Sequence, residues 1–325
     1  VCHICYNACA LELVQDNSTE IQKLICGNEN GQIFEVSANK FVVCAGALET
    51  PRLLLNSSIK NNNIGRYLMD HPMGSLRQIQ FKKKHKAHIY SYVKPSPGLM
   101  IKSGLRFTET AQKSNRLPNH CFYTKVAYSK GIDSKTDKVL LSLLTFRDGG
   151  LSFRDIWNVI TNIRLVLFMV IYKLNLKYKY ADLFFVTEQI PNPESRISLS
   201  DKKDQFGYPI AKINWQLLED DLLSMKKAFN ILQSQAFSGN SIKFVPSTAD
   251  LDWNEIYTSA AHHLGTARMS TSSDNGVVDE NLKVFGMNNL FICDGSVFPT
   301  SGNANSGLTT SALACRLADY LTKDR

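Results

Sequence analysis

The chain opens on alternation. Residues 3–13, HICYNACALEL, set apolar and polar positions by turns, and EIQKLICGNENGQIFEV (20–36) repeats the pattern on both sides of Asn28–Gly31. This is the signature of strands joined by a hairpin. KFVVCAG (40–46) differs: it is a continuous apolar run ending on glycine, as a buried parallel strand reads. In ALETPRLLLNSS (47–58) a helix is expected, with Thr50 as its cap and Pro51 in its first position. Strand, tight glycine turn and helix form a unit whose turn is a common ligand position in α/β folds.

Past IGRYLMDHP (64–72) the character changes. SLRQIQFKK (75–83) and KVLLSLLTF (138–146) alternate as strands, and helical stretches fall near 155–177 and 219–237. In the second of these, Leu222, Met225, Phe229, Leu232 and Phe237 lie close to one face. From 251 onward glycine-rich loops return, then the short apolar strand LFIC (290–293) and a closing helix, SGLTTSALACRLADYL (306–321). There is no internal repeat. The pattern predicts a discontinuous domain, 1–75 with 251–325, holding an inserted domain at 76–250.

The 325 residues are 44% hydrophobic and 20% charged, enough for a sizeable core. The net charge of +8 is scattered. The one basic run, Phe81–Lys86, lacks interleaved aromatics and reads as a solvated face, so no nucleic-acid partner is expected. Eight cysteines, several inside apolar runs, fit a reducing compartment, and the expected location is the cytoplasm. Cys2, Cys5 and Cys9 resemble half a metal site, but no second pair completes it, and no metal is expected. The most apolar stretch, LVLFMVIY at Leu165–Tyr172, is too short to span a bilayer. It reads as a core helix, with a membrane-surface helix as the second reading.

Two segments carry candidate chemistry. AHHLGTARM (261–269) sets paired histidines before a Gly-Thr turn, and DGSVFPTSGNANSG (294–307) opens the last helix. Asp294–Gly295 closes a strand with a turn that lets backbone approach a ligand. The first N–H groups of the following helix lack internal partners and sit at the positive end of its dipole. Such a start suits an anion, or an oxygen that gains negative charge. An imidazole takes protons near neutral pH, so a histidine beside a redox cofactor deprotonates an alcohol as hydride leaves its carbon. The amide of Asn305 offers a donor to the substrate oxygen. A zinc hydrolase built on His262 and His263 is a third reading and fares poorly: adjacent side chains diverge, and no H-E-x-x-H or carboxylate partner accompanies them.

These segments resemble the glucose–methanol–choline oxidoreductases, a flavoprotein family. AHHLGTAR resembles the family's H-x-x-G-T turn. GVVDENLKVFGMNNLFICDGSVFPTSGNANSGLTTSALACRLADYL (276–321) is similar to its closing segment, FVVCAGALETPRLLLNSS to its second signature region, and IGRYLMDHP to its Asp-His-Pro stretch. EQIPNPESRISLSDKKDQFGYPIAKINWQLLEDD (188–221) resembles the strand pair leading back from the substrate domain. The resemblance implies an α/β (α+β) fold: part of a Rossmann-like FAD domain, with a substrate domain on a mostly antiparallel sheet. It implies FAD as cofactor, with an alcohol or sugar as substrate. Oxygen, a quinone or a cytochrome would be the electron acceptor. By position it makes His262 the base, His263 a neighbour, and Asn305 the second active-site group. Ala10 corresponds to a backbone contact to adenine, and Ala45 and Gly46 to the turn beside the dinucleotide. Asp294 and Gly295 correspond to the turn near ribityl and pyrophosphate, and Ser306 to the backbone near the flavin N1–C2=O edge.

The sequence departs from the family in two places. No G-x-G-x-x-G occurs, so a fragment of a longer enzyme is expected, one that does not retain FAD alone. The alternative is a non-catalytic remnant kept as a binding or scaffold protein. Ser306–Gly307 also replaces the Asn-Pro that commonly follows the second catalytic position.

Overall fold

The computed structural model describes residues 3–16, 19–86, 92–96, 99–102, 104–127, 157, 167, 177–237, 241–246 and 251–323. The expected strand at 138–146 lies outside these residues, as does the run 165–172 apart from Leu167 and the helix near 155–177 apart from Trp157, Leu167 and Lys177, the last of which is strand. The chain divides into two compact units. The first takes 1–71, 188–222 and 259–325, and the second takes 72–187 and 223–258. Residues 188–222, inside the stretch read as the inserted domain, thus cluster with the terminal segments.

In the first unit, β1 (Cys9–Asp16), β2 (Glu20–Gly27) and β3 (Ile33–Ser37) form an antiparallel meander. Residues 3–8, expected to extend β1, are not strand. Most of them are exposed, so their apolar positions have no facing layer to bury them. The β2–β3 turn falls at Asn28–Gly31 as predicted. Asn28 Oδ1 accepts the N–H groups of Asn30 and Gln32, and Gly31 takes φ +77. The run FVV forms β4 (Phe41–Val43). It pairs in parallel with a strand far downstream, Leu290–Ile292, whose three residues are all buried. Helix α1 (Gly46–Asn56) packs Leu53 and Leu54 onto this pair. The same core takes Leu13 and Ile21 from the meander and Val277, Val278, Leu282 and Val284 from the loops before Leu290.

The second unit is an antiparallel sheet centred on β5 (Pro72–Lys86). After it come β6 (Tyr92–Ser96) and β7 (Leu99–Lys102), which pair only with each other, then β8 (Leu105–Arg106) and α2 (Glu109–Asn115). β9 (His120–Ala127) and β10 (Lys177–Thr187) pair along their whole shared length, and β10 pairs with β5. The run SLRQIQFKK therefore is the strand its alternation predicts, with Ile79 and Phe81 buried. The hairpin of β11 (Arg196–Lys203) and β12 (Pro209–Asn214) belongs to the first unit. Helix α3 (Glu219–Ile231) continues into a π-turn, Leu232–Ala236, and buries Met225, Phe229, Leu232 and Phe237. β13 (Ile242–Phe244) adds to β5, with Phe229 and Phe237 against Phe244, and the short β14 (Tyr257–Ser259) also pairs with β5. The strand at Leu290–Ile292 is β15, and the chain closes with α4 (Gly307–Lys323), the helix expected there. Among the described residues no helix is long and apolar enough to cross a membrane.

Candidate active site

Helix α1 starts at Gly46, not at the expected Thr50–Pro51 cap. The reason lies 248 residues away in Asp294, at the end of β15. Asp294 Oδ2 accepts the Gly46 N–H at 2.9 Å and the Thr50 hydroxyl at 2.6 Å, while Oδ1 accepts the Ser296 N–H at 2.7 Å. One carboxylate thereby supplies the acceptor that Ala45, at the cap position, lacks. Thr50 donates to this carboxylate from inside the helix. Gly46 has φ +79, a conformation that suits glycine.

The AHHLGT turn is fastened on three sides. Leu264 exchanges backbone hydrogen bonds with Met69, both at 2.9 Å, and Gly65 N–H donates to the Thr266 carbonyl. Gly265 N–H donates to the Gly295 carbonyl, and a Cβ on Gly295 would stand 2.9 Å from the His263 carbonyl. The predicted residues Asp294, Gly295, Gly46, His262 and His263 are thus one connected piece of backbone.

The backbone of His262 rests on Asp70, a residue of the IGRYLMDHP stretch to which sequence alone assigns no role. It is 1% exposed. Its Oδ1 accepts the His71 N–H at 2.6 Å and the His262 N–H at 3.0 Å, and its Oδ2 accepts the Ser259 hydroxyl. Ser259 Oγ in turn accepts the N–H of Ala261, which holds φ +59, a left-handed conformation costly for alanine. His263 Nε2 stands 3.8 Å from Asp70 Oδ2. Gln189 Oε1 accepts both the Asp70 N–H and the Trp215 indole N–H.

His71, also without an assigned role, meets His262 edge to face, with ring centroids 5.2 Å apart and planes at 77°. His71 is fully buried, and burial pushes its pKa down, as does the neighbouring His262. Asp70 and the backbone carbonyls of Gly302 and Ala304 act in the opposite direction, but burial prevails. Those carbonyls face the ring without closing a hydrogen bond: both His71 ring nitrogens, and His262 Nδ1, are buried and without partners. The loop before α4 therefore runs beside the histidine pair, and Asn305 follows it with its side chain exposed. The Ser306 carbonyl accepts from Thr310 N–H and Oγ1, which sets the first turn of α4. The signal for Asp70 and His71 in the sequence was the adjacent Asp-His before Pro72. Their partners lie 119 to 192 residues away, so spacing alone did not reveal them.

Ala10 and Ala45 come from separate stretches, yet both line one cavity of about 260 Å³ with Cys9, Glu49, Arg52 and Tyr208. The Arg52 guanidinium is fixed by Glu49, Asp204 and the Pro209 carbonyl, and Tyr208 Oη donates to Glu12. Beside the cavity, a Cβ on Gly46 would meet nothing within 4 Å. Ser296 Oγ, in the Asp-Gly-Ser turn, is buried without a partner. A cavity lined by Ala10 and Ala45, an open glycine and an unpartnered buried hydroxyl are compatible with FAD. The Cys26 thiol feels Cys5 and Cys9 nearby, but among the described residues no group of three or more His, Cys, Asp or Glu is arranged to hold a metal ion.

Two sequence profiles, each described as GMC oxidoreductase, match residues 3–73 and 191–314, together more than half of the chain. The 2-methyl-1,2-propanediol dehydrogenase of Mycolicibacterium austroafricanum is 26% identical over 90% of this chain and 49% of its own length. The fructose dehydrogenase large subunit of Gluconobacter japonicus is 24% identical over 98% of this chain and 53% of its own. The chain thus spans about half the length of these curated relatives. Among solved structures, pyridoxine 4-oxidase from Mesorbium loti superposes with a TM-score of 0.55 at 19% identity, covering 96% of this chain and 57% of its own. A formate oxidase variant from Aspergillus oryzae RIB40 gives 0.57 at 16%, covering 98% and 60%. These likenesses show the fold. Both profiles fall in order along the chain, over the segments that carry the histidine turn, the glycine turn and the closing helix: the chain belongs to the GMC oxidoreductases, a family of FAD-dependent enzymes.

Proposed function

We propose that the protein carrying this chain oxidises the CH–OH group of an alcohol or sugar, with His262 as the proton acceptor. The observation that carries the reading is the placement of one imidazole. His262 has its backbone tied to a buried carboxylate, its ring against His71, and its Nδ1 buried without a partner. Its imidazole takes the hydroxyl proton of the substrate at Nε2. The exposed amide of Asn305 donates to the same oxygen as negative charge develops. Ala10, Ala45, Gly46 and the Asp294–Ser296 turn would hold FAD, and the first turn of α4 beyond Ser306 would face its negative end. When bound, FAD supplies the hydride acceptor. Oxygen, a quinone or a cytochrome takes the electrons afterward. The dehydrogenase names of the two relatives support an alcohol or sugar as the donor.

The test is His262→Ala in the flavin-loaded protein, mixed without oxygen with alcohol or sugar donors. The flavin absorbance is followed near 450 nm (roughly, the cofactor's own band). A loss of about 10² to 10⁴ in the reduction rate, at unchanged flavin content, is expected. Reduction at the wild-type rate would remove His262 from the mechanism.

A further inference from the structure

We infer that Asp70 is the positioning residue for this chemistry: its buried carboxylate aims the His262 imidazole and is the counter-charge of the imidazolium that forms when His262 takes a proton. The inference rests on the reading of His262 as proton acceptor.

The geometry separates Asp70 from an ordinary turn residue. A side chain that only caps a turn needs an acceptor, and a neutral amide or hydroxyl supplies one. Asp70 instead places a carboxylate at 1% exposure, where an ionised group is expensive unless it is paired. Among the described residues no Lys or Arg stands in ion-pair distance of it. Its surroundings are two histidines and a backbone: His71 is its chain neighbour, His263 Nε2 stands 3.8 Å from Oδ2, and the backbone N–H of His262, rather than its ring, donates to Oδ1. Three donors converge on it, the N–H groups of His71 and His262 and the hydroxyl of Ser259. Ser259 then holds the N–H of Ala261. This fixes a left-handed residue immediately before His262, so the direction in which His262 leaves the backbone is set from both sides.

The counter-charge role follows from what else faces the pair. His71 is buried, and burial keeps it in its neutral form, so a second proton there is disfavoured while His262 is charged. The Gly302 and Ala304 carbonyls present partial negative charge to His71, and Glu188 accepts the Gly302 N–H at 3.3 Å. The titratable groups around His262 are therefore Asp70, His71, His263 and, behind the loop, Glu188. Of these, Asp70 is the buried anion bonded to the His262 backbone.

The experiment uses the flavin-loaded protein and two variants measured against His262→Ala. Asp70→Asn keeps an acceptor for both N–H groups and a partner for Ser259, but removes the charge. The rate of flavin reduction should fall about 10- to 100-fold while the substrate concentration at half-maximal rate stays within about threefold. The acidic limb of its pH–rate profile should move down by about one pH unit, because the protonated imidazole has lost its anion. Melting temperature and flavin content report whether the variant is folded. If Asp70→Asn does not fold, Asp70→Ala is assayed with added formate and, separately, formamide. Recovery with the anion alone supports the inference, and no recovery or equal recovery overturns it. A folded Asp70→Asn with wild-type rate and profile also overturns it. If His262→Ala itself reduces flavin normally, the parent reading fails instead, so the two failures are distinguishable.

Discussion

Thr266 donates its hydroxyl to the carbonyl of Ala47 at 2.7 Å, and both residues are buried. That carbonyl is free for a specific reason. In α1 its helical partner would be the N–H of residue 51, which is proline and has none. The threonine of the histidine turn fills the gap left by a proline in the helix whose start borders the cavity lined by Ala10 and Ala45. The two signature segments are joined by one hydrogen bond that neither makes alone.

This relationship predicts a coupled pair. Thr266→Val leaves a buried carbonyl without a donor and should cost about 1–3 kcal/mol in unfolding free energy. In a Pro51→Ala background the helix supplies its own N–H, and the same substitution should cost about 1 kcal/mol less. Denaturant titration of the four proteins in the cycle measures the difference, and strict additivity would show that the proline is irrelevant to the bond.

Asp294 should be a stability residue in its own right. Its carboxylate accepts from Gly46, Thr50 and Ser296, and it holds the start of α1 on the end of β15. Asp294→Ala should lower the unfolding free energy by about 2–4 kcal/mol. Asp294→Asn, which retains one acceptor oxygen, should lose less. Melting curves of the apoprotein test this without reference to flavin. Equal losses from Ala and Asn would show that the acceptor count is not what matters.

Gly295→Ala should act on rate more than on stability. The added methyl would stand 2.9 Å from the His263 carbonyl and 3.0 Å from a Leu264 methyl, closer than packing allows, so the histidine turn must move. A displacement approaching 1 Å at a reacting group costs about 10²-fold in rate. The expected result is flavin reduction slowed at least tenfold (roughly, a part of that) with a loss in stability of about 1 kcal/mol. Unchanged kinetics would mean that the turn and Gly295 are not coupled.

The second unit should weaken in acid through His120. This imidazole is fully buried with neither nitrogen partnered, and burial pushes its pKa down to about 4. A histidine depressed in the folded state takes up its proton more readily when unfolded. Its contribution is therefore complete above pH 6.5 (roughly, the unfolded value) and is lost as pH falls toward 4. The total is on the order of 3 kcal/mol. His120→Leu should flatten the acid limb of stability between those pH values. Denaturant midpoints at pH 7.5 and 4.5 (roughly, either side of that window) decide it, and an unchanged slope would place the titrating group elsewhere.

Local pattern carried much of this protein. The continuous apolar runs FVV and LFI are strands paired in parallel; LFI is buried throughout, whereas FVV buries Phe41 and Val43 and leaves Val42 exposed. The Asn28–Gly31 hairpin and the closing helix are equally local: side-chain acceptors and a left-handed glycine make one, and helical spacing of apolar residues makes the other. The motif order is also a property of the sequence, and it identified the family. What sequence could not set is where distant acceptors fall. Thr50 and Pro51 look like a helix start on local grounds, but an aspartate 248 residues downstream caps the chain at Gly46 and moves the start upstream. The sequence contains Asp70 and His71 side by side, yet only folding buries them and brings the His262 backbone onto the carboxylate and its ring against His71. A hydrogen bond is a short-range interaction between groups that the backbone must first bring together, and at these separations along the chain only the tertiary fold does that.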